Sequence, residues 1–211
     1  MAEILVRSRV FGLVAAATPG MRELLTVGKL WELAQLDRRT PGAYAYDLVV
    51  VDAPATGHGI ALLTAPRTFA AAAGSGPVAR QGTRIDTTLS DPGHTAVVAV
   101  AQAEELSVTE TGQLRAALAQ SLELSLERVV ANALQPDRFS TDEAKRLAPH
   151  ADDDRAVARA LREHRRALRQ RAQLARLRKL CDQVPARLSL HPGGPDLARL
   201  ADELAPQLDL R

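Results

Sequence analysis

The sequence is poor in cysteine, methionine and aromatic residues. Its 211 residues include one cysteine, Cys181, two methionines and only 3% aromatic residues. A single thiol excludes an internal disulfide and a zinc site built on CxxC pairs, and it favours a reducing, cytoplasmic location. The five histidines show neither HxxxH nor HExxH spacing, so we predict no transition-metal site.

Long hydrophobic runs and a strong net charge are also missing. No run of eighteen apolar residues occurs, so we predict no transmembrane segment. The formal net charge of +2 gives the whole molecule little attraction for nucleic acid, and we predict no nucleic-acid partner. With 46% hydrophobic and 25% charged residues, the length suits one globular domain over residues 1–211.

Four short apolar segments are predicted to be strands, and helical patterns separate them. The strands are residues 47–52, 95–101, 128–132 and 187–190. The alternation predicts an α/β fold with a mostly parallel sheet flanked by helices. A helix is predicted over residues 105–122, where Ser107 and Glu110 have the spacing of a capping box.

Residues 155–179 are strongly basic and follow three consecutive aspartates, which favour a helix start. The apolar positions of this helix predict a narrow buried stripe comprising Val157, Leu161, Leu168, Ala172 and Ala175. One interpretation is a surface helix with a solvated arginine face, and the other is a site for a phosphate-rich or anionic-lipid partner. The helix has no aromatic residue, which argues against base stacking.

The apolar run before Asp52 is the strongest functional signal. Residues 48–51 are apolar without alternation, which is typical of a parallel strand buried on both faces. Asp52 would end that strand, where ligands of parallel sheets gather, and a buried carboxylate there suggests Mg²⁺ chemistry of the Walker B type. Thr56 and Gly57 would then contact a phosphate. Alternatively, Asp52 caps the turn before Pro54, and Gly57 only permits a turn.

The segment from Asp52 to His58 reads DAPATGH and resembles the switch II loop of the ArsA family, which comprises arsenite-pump ATPases and ATPases that target tail-anchored proteins. Other segments similar to that family follow the same order: residues 19–25, 29–33, 76–81, 104–111 and 129–132. The resemblance implies a P-loop NTPase-like fold, ATP and Mg²⁺ as cofactors, and a switch that senses the γ-phosphate at Thr56, Gly57 and His58. It also implies that Asn132 contacts adenine, although His58 could instead be a surface residue and Asn132 could start a turn.

The family's GKGGVGKT loop, whose N–H groups cradle the phosphates, does not occur in these 211 residues, nor does its switch I aspartate segment. We therefore expect an N-terminally truncated form, the last two thirds of an ArsA-like ATPase, which does not hydrolyse ATP alone. A missing first strand would leave residues 48–51 unpaired at a sheet edge, so we expect a homodimer or a heterodimer with an ArsA-like subunit. One hypothesis is an ATPase polypeptide whose P-loop comes from other sequence. Another is a non-catalytic subunit that docks on a P-loop-bearing partner, and a third, resting on residues 155–179, is a polyanion-binding module.

Overall fold

A computed structural model describes residues 20–37, 40–194 and 196–208. The described residues form a three-stranded parallel sheet and seven α-helices, and this confirms the predicted α/β class. In chain order the elements are α1 (Met21–Leu33), α2 (Thr56–Ala73), α3 (Gly76–Leu89), β1 (Val97–Gln102), α4 (Glu105–Leu122), β2 (Leu126–Leu134), α5 (Thr141–Leu147), a short 3₁₀-helix (Ala148–His150), α6 (Arg155–Leu180), β3 (Ala186–Ser189) and α7 (Leu197–Leu208).

The chain divides into two units, of which the first contains residues 1–96 and 116–124. In its described part, α1, α2 and α3 share a core of Val27, Leu62 and Ile85, and Trp31 packs against it. The Trp31 indole also donates a hydrogen bond of 3.0 Å to the Thr88 hydroxyl. The three helices of the first unit therefore share a hydrophobic core of their own.

The second unit contains residues 97–115 and 125–211 and holds the sheet in the order β1, β2, β3. One sheet face packs on α4 and α6 through a core formed by Ala99, Val108, Val129, Ala131, Leu174 and Leu177. Val130, Ala186 and Leu188 face the other way and pack on α7. The fully buried positions of all three strands are apolar, which explains why the sequence predicted these strands.

The two outer strands of the sheet differ in how their edges are protected. Arg187 N–H of β3 donates to the Gln207 carboxamide (2.9 Å) and Ser189 N–H donates to the Glu203 carboxylate (2.8 Å), so α7 occupies the edge of β3. On β1, by contrast, Val98 and Val100 are 52% and 66% exposed, and no described strand pairs with its outer edge. The edge of β1 is therefore open among the described residues.

The predicted strand at residues 47–52 is wrong. Residues 48–54 belong to no helix or strand, and Leu48 and Val50 are 77% and 84% exposed. A strand of this composition is buried only when it has neighbours on both sides and helices on both faces. Among the described residues none pairs with it, so its hydrophobic character alone does not place it in the sheet.

The predicted capping box of the helix at residues 105–122 is wrong. The helix α4 begins at Glu105, so Ser107 is not its N-cap, and the Ser107 hydroxyl instead accepts the Gln102 N–H at 3.1 Å. The capping box lies at the start of α5, where Ser140 and Glu143 exchange hydrogen bonds. None of the helices in the described ranges is long and apolar enough to cross a membrane.

The predicted start of the basic helix is confirmed, but its predicted stripe is wrong after Leu161. The Asp154 carboxylate caps α6 by accepting the N–H groups of Ala156 and Val157. Leu168, Ala172 and Ala175 are exposed, and the buried face instead contains Leu161, His164, Ala167, Gln170, Leu174 and Leu177. Counting only apolar residues missed this face because two of its members are polar.

Candidate functional site

The segment from Asp52 to His58 leads directly into α2. Ala55 is its N-cap in an extended conformation (φ −61°, ψ 146°), and no side chain caps the helix. The His58 N–H donates to the Ala55 carbonyl at 3.2 Å, and α2 begins at Thr56. The first N–H groups of a helix need partners and carry partial positive charge, so this turn presents donors suited to an anion.

Asp52 is exposed, which corrects the expectation of a buried carboxylate. Because the predicted strand before it is not formed, Asp52 stays in contact with water. The cost of burying a carboxylate therefore gives no argument for a metal at Asp52. Gly57 and His58 are exposed as well. These residues therefore form an open, polar loop at the start of α2 rather than an enclosed pocket.

The close approach in this loop occurs at Gly59, which sequence reasoning missed. A Cβ atom on buried Gly59 would lie 2.8 Å from the Pro54 carbonyl oxygen, whereas a Cβ on Gly57 would meet nothing within 4 Å. Gly59 thus lets the chain fold tightly from the loop into α2, and Gly57 leaves open space beside the helix start. In the sequence, the Gly-x-Gly spacing of residues 57 and 59 could have indicated this close approach.

Asn132 lies inside β2, which continues two residues further than predicted, and pairs in register with Gln102 of β1. Its Oδ1 atom accepts the Ala133 N–H at 2.8 Å, and its amide nitrogen has no hydrogen-bond partner among the described residues. Ala133 follows with a φ of +56°, in the left-handed region that alanine rarely adopts. The half-buried Asn132 side chain therefore marks a local kink near the carboxyl end of β2.

The kink after Asn132 is held by Gln170, a second residue that sequence reasoning missed. Gln170 is 4% exposed; its amide nitrogen donates to the Ala133 carbonyl at 3.2 Å, and its Oε1 atom accepts the Gln135 N–H at 2.7 Å. A buried carboxamide with both groups satisfied fixes the loop that it binds. The signal in the sequence was one polar residue at a helical spacing from Ala167 and Leu174.

The residues fit a magnesium ion only in combination with a nucleotide. No group of three His, Cys, Asp or Glu side chains able to hold a metal occurs among the described residues. Mg²⁺ is commonly held by one or two carboxylates together with water and the phosphates of its substrate. The exposed Asp52 carboxylate can contribute one such contact, directly or through water, and is not a metal site by itself.

Cys181 is the C-cap of α6 and follows two cationic residues, Arg178 and Lys179, in the last turn of that helix. Burial raises the pKa of the Cys181 thiol above its usual value of 9.0; Arg115 opposes this shift and Asp182 adds to it. Thiolate, the reactive form, is consequently scarce near neutral pH. Cys181 is therefore a half-buried thiol that the neighbouring Arg115 does not activate.

The described fold is a parallel α/β sheet with flanking helices, consistent with a fragment of a P-loop NTPase-like domain. A family model described as Anion-transporting ATPase, the ArsA-type family, matches residues 77–166. That match includes Asn132 and ends within α6, and it does not include residues 52–58.

The curated relatives agree with the family match. The chain is 32% identical over 158 residues to ATPase BagA of Mycobacterium tuberculosis and to a Mycobacterium bovis protein that also carries an ATPase name. Each alignment covers 72% of this chain and 45% of the relative, so the chain spans less than half the length of either. Residues 77–166 therefore match part of an ArsA-type ATPase domain, and the ATPase-named relatives are consistent with that match.

Proposed function

We propose that this chain provides the nucleotide-responsive part of an ArsA-type ATPase, binding Mg²⁺-ATP and changing conformation with the state of the γ-phosphate. The observation that carries the proposal is the DAPATGH loop, which opens into the start of a helix without a capping side chain. The match of residues 77–166 to the ATPase family model and the similarity to ATPase BagA support it.

In the proposed site each residue has a role suited to its chemistry. The Asp52 carboxylate holds a water ligand of the nucleotide-bound Mg²⁺, and the backbone N–H groups of Thr56 and Gly57 donate to the γ-phosphate. When bound, the ion neutralises charge on the phosphate oxygens. His58, exposed in the first turn of α2, lies within the same loop and would orient a phosphate oxygen or water through its ring.

The loop is built to transmit movement to α2. A phosphate can approach Gly57 because the space beside its Cα is open, while the tight contact of Gly59 with the Pro54 carbonyl oxygen links the loop to the helix. The helix in turn packs through Leu62 on the core of the first unit. A shift of the loop when the phosphate leaves would therefore move α2, which is how phosphate-sensing switches commonly act.

Adenine recognition is assigned to Asn132. Its carboxamide offers both a donor and an acceptor, and its nitrogen has no partner among the described residues. Phosphate binding at full strength requires a P-loop, which these 211 residues do not contain. We propose that hydrolysis needs such a loop from additional sequence, and that this chain alone binds nucleotide without turning it over.

Photo-crosslinking with 8-azido-ATP tests the base contact. We expect a labelled peptide that contains Asn132, with labelling reduced several-fold in Asn132→Ala and by competing ATP. The matched control is Asn132→Asp, which keeps the shape and the acceptor and loses the donor. Labelling unaffected by both substitutions would contradict the assignment.

A second candidate function, a non-catalytic subunit that docks on a P-loop-bearing partner, is favoured by the open edge of β1. An unpaired edge with exposed apolar side chains is a template for another strand, and the exposed Val98 and Val100 provide one. The edge of β3 offers no such template because Gln207 and Glu203 already bind its N–H groups.

Light scattering after size exclusion distinguishes this candidate. We expect a dimer, of this chain with itself or with an ArsA-like subunit, that Val98→Lys/Val100→Lys disrupts without changing the circular dichroism spectrum. Val78→Lys, an exposed valine of α3, is the control. A monomer that persists in the presence of a full-length relative would exclude the docking role.

A further inference from the structure

The charge of this chain is distributed very unevenly. The 26 residues of α6 contain ten of the 27 basic residues and one of the 25 acidic residues. The helix therefore has a formal charge of +9, and the remainder of the chain has −7. The net charge of +2, from which the sequence predicts no nucleic-acid partner, hides this separation. A strongly basic segment of a nearly neutral chain still attracts a polyanion.

Few cations of α6 are neutralised by neighbouring carboxylates. Three of the ten form an ion pair with a described residue: Arg159 with Glu163, Arg166 with Glu104 and Arg171 with Asp137. The other seven have no carboxylate partner in the described part of the chain. Most of the positive charge of the helix is therefore available to a partner.

Four of the unpaired cations follow one face of α6. Arg165, Arg169, Arg176 and Lys179 are separated by four, seven and three residues, spacings that place side chains on the same side of a helix. All four are exposed, whereas the face on which Leu174 is buried packs on the sheet. We call these four residues the outer stripe, which extends along the helix for about 21 Å at 1.5 Å per residue.

Helix stability does not account for the charge of the outer stripe. Like charges three or four residues apart in a helix repel each other, and Arg165 and Arg169 are such a pair. A solvated face is more stable when glutamates alternate with the cations, yet residues 164–180 contain no acidic residue. The outer stripe therefore costs the helix stability, which favours a binding role over a merely solvated surface.

The exposed side chains of α6 distinguish between classes of anionic partner. Nine of its ten cations are arginines, whose planar guanidinium groups donate paired hydrogen bonds to phosphate. On this helix, which the structure describes in full, Leu168 is the only large apolar side chain that is exposed. Protein interfaces usually bury aromatic anchors, and adsorption to a membrane is strengthened by apolar area, but nucleic-acid interfaces are polar and positively charged.

We propose that the outer stripe binds the phosphate backbone of a double-stranded nucleic acid without reading its sequence. A duplex carries one negative charge per roughly 1.7 Å of its axis, so every cation of the outer stripe meets a phosphate. Single strands are bound largely by stacking of bases on aromatic side chains, and α6 has none. This role goes beyond the proposed nucleotide binding and does not depend on it.

Fluorescence anisotropy of a labelled DNA duplex of about 20 base pairs tests the surface, in buffer without Mg²⁺ or nucleotide. Four phosphate contacts predict that the logarithm of the binding constant falls against the logarithm of salt concentration with a slope of about −3.6 or steeper. The affinity should then fall at least about 150-fold between roughly 50 and 200 mM KCl. Arg165→Gln/Arg169→Gln should make the slope shallower by about 1.8 and weaken binding at the lower salt concentration at least about tenfold.

Two control variants separate charge at the outer stripe from charge in general. Arg165→Lys/Arg169→Lys keeps both charges and should keep the slope. Arg199→Gln removes an exposed charge from α7, which packs on the other face of the sheet, and should change the affinity less than about twofold. The melting temperature of Arg165→Gln/Arg169→Gln should equal or exceed that of the wild type, because the substitutions remove a repulsive pair.

The proposal is wrong if the duplex does not bind at the lower salt concentration, or if Arg165→Gln/Arg169→Gln leaves the slope unchanged. Equal weakening by Arg199→Gln would show only diffuse attraction, and binding of a single duplex sequence would contradict recognition of the backbone. Binding to phosphatidylglycerol vesicles in place of the duplex, if it depends on Arg165 and Arg169, would identify a membrane surface instead. None of these outcomes bears on the binding of Mg²⁺-ATP, which is measured separately.

Discussion

Gln170 of α6 holds the segment that follows Asn132 through two hydrogen bonds, and its loss should loosen that segment from the helix. Gln170→Ala removes the partner of the Gln135 N–H (2.7 Å) and of the Ala133 carbonyl (3.2 Å). Both groups are half-buried, so water replaces the lost bonds only in part. We expect the free energy of unfolding to fall by about 2 to 3 kcal/mol, since each unmet buried group costs about 1 to 3 kcal/mol.

The loss also releases backbone strain near Ala133, whose φ is +56°. Because the buried carboxamide holds this unusual conformation, the segment after β2 should loosen before the rest of the fold. Urea unfolding followed by far-ultraviolet circular dichroism gives the stability change, and hydrogen exchange of the Gln135 amide gives the local one.

Gln173→Ala is the matched control, because Gln173 is a half-buried glutamine of the same helix whose side chain, among the described residues, accepts a hydrogen bond only from Arg176. We expect it to cost less than about 0.5 kcal/mol, as surface substitutions usually do. The reasoning is refuted if the two variants unfold at the same urea concentration and the Gln135 amide exchanges at its original rate.

Three other substitutions or conditions test separate contacts. Gly82→Ala should destabilise by about 1 to 3 kcal/mol, because its Cβ would lie 2.8 Å from the Pro66 carbonyl oxygen. The control Gly28→Ala, whose Cβ would meet only a side-chain atom at 4.0 Å, should unfold at the wild-type temperature or above. Hydrogen bonds from Ser189 lower the pKa of the Glu203 carboxyl below its usual 4.5. The stability that the Glu203 carboxylate contributes is therefore present above pH 4.5 and is lost as the pH falls through the folded-state pKa. In a series of melting temperatures measured against pH, Glu203→Gln should reduce the fall in melting temperature on the acidic side. Alkylation of Cys181 by iodoacetamide should rise with an apparent pKa above 9.0, and fast reaction at pH 7 would contradict the raised pKa.

The sheet and the long helices were predictable because the pattern of apolar residues that indicates each of them lies within a short stretch of sequence. The buried positions of the three strands are apolar, and the aspartates before α6 indicate its start, which Asp154 caps. Residues 48–51 read the same way as those strands, yet burial depends on neighbours that a run of four residues cannot reveal. Hydrophobic composition identifies a segment that can be buried, and tertiary contacts decide whether it is.

The candidate site was predictable only in part, for a related reason. Motif resemblance selected Asp52, Thr56, Gly57, His58 and Asn132, and their binding roles remain predictions. The tight contact of Gly59 and the clamp of Gln170 depend on atoms brought together by folding, so no motif indicates them. A polar residue on a buried helical face, such as Gln170, indicates a buried hydrogen-bonding contact, and an analysis that considers only apolar positions overlooks it.

Calorimetric titration of the purified chain with Mg²⁺-ATP and Mg²⁺-ADP tests the central claim most directly. The account predicts measurable binding of both nucleotides, and binding of Mg²⁺-ATP that weakens in Asp52→Ala but not in Asp47→Ala, which removes an exposed carboxylate five residues earlier. Absence of binding, or equal affinity of wild type and Asp52→Ala, would contradict a nucleotide site in this chain.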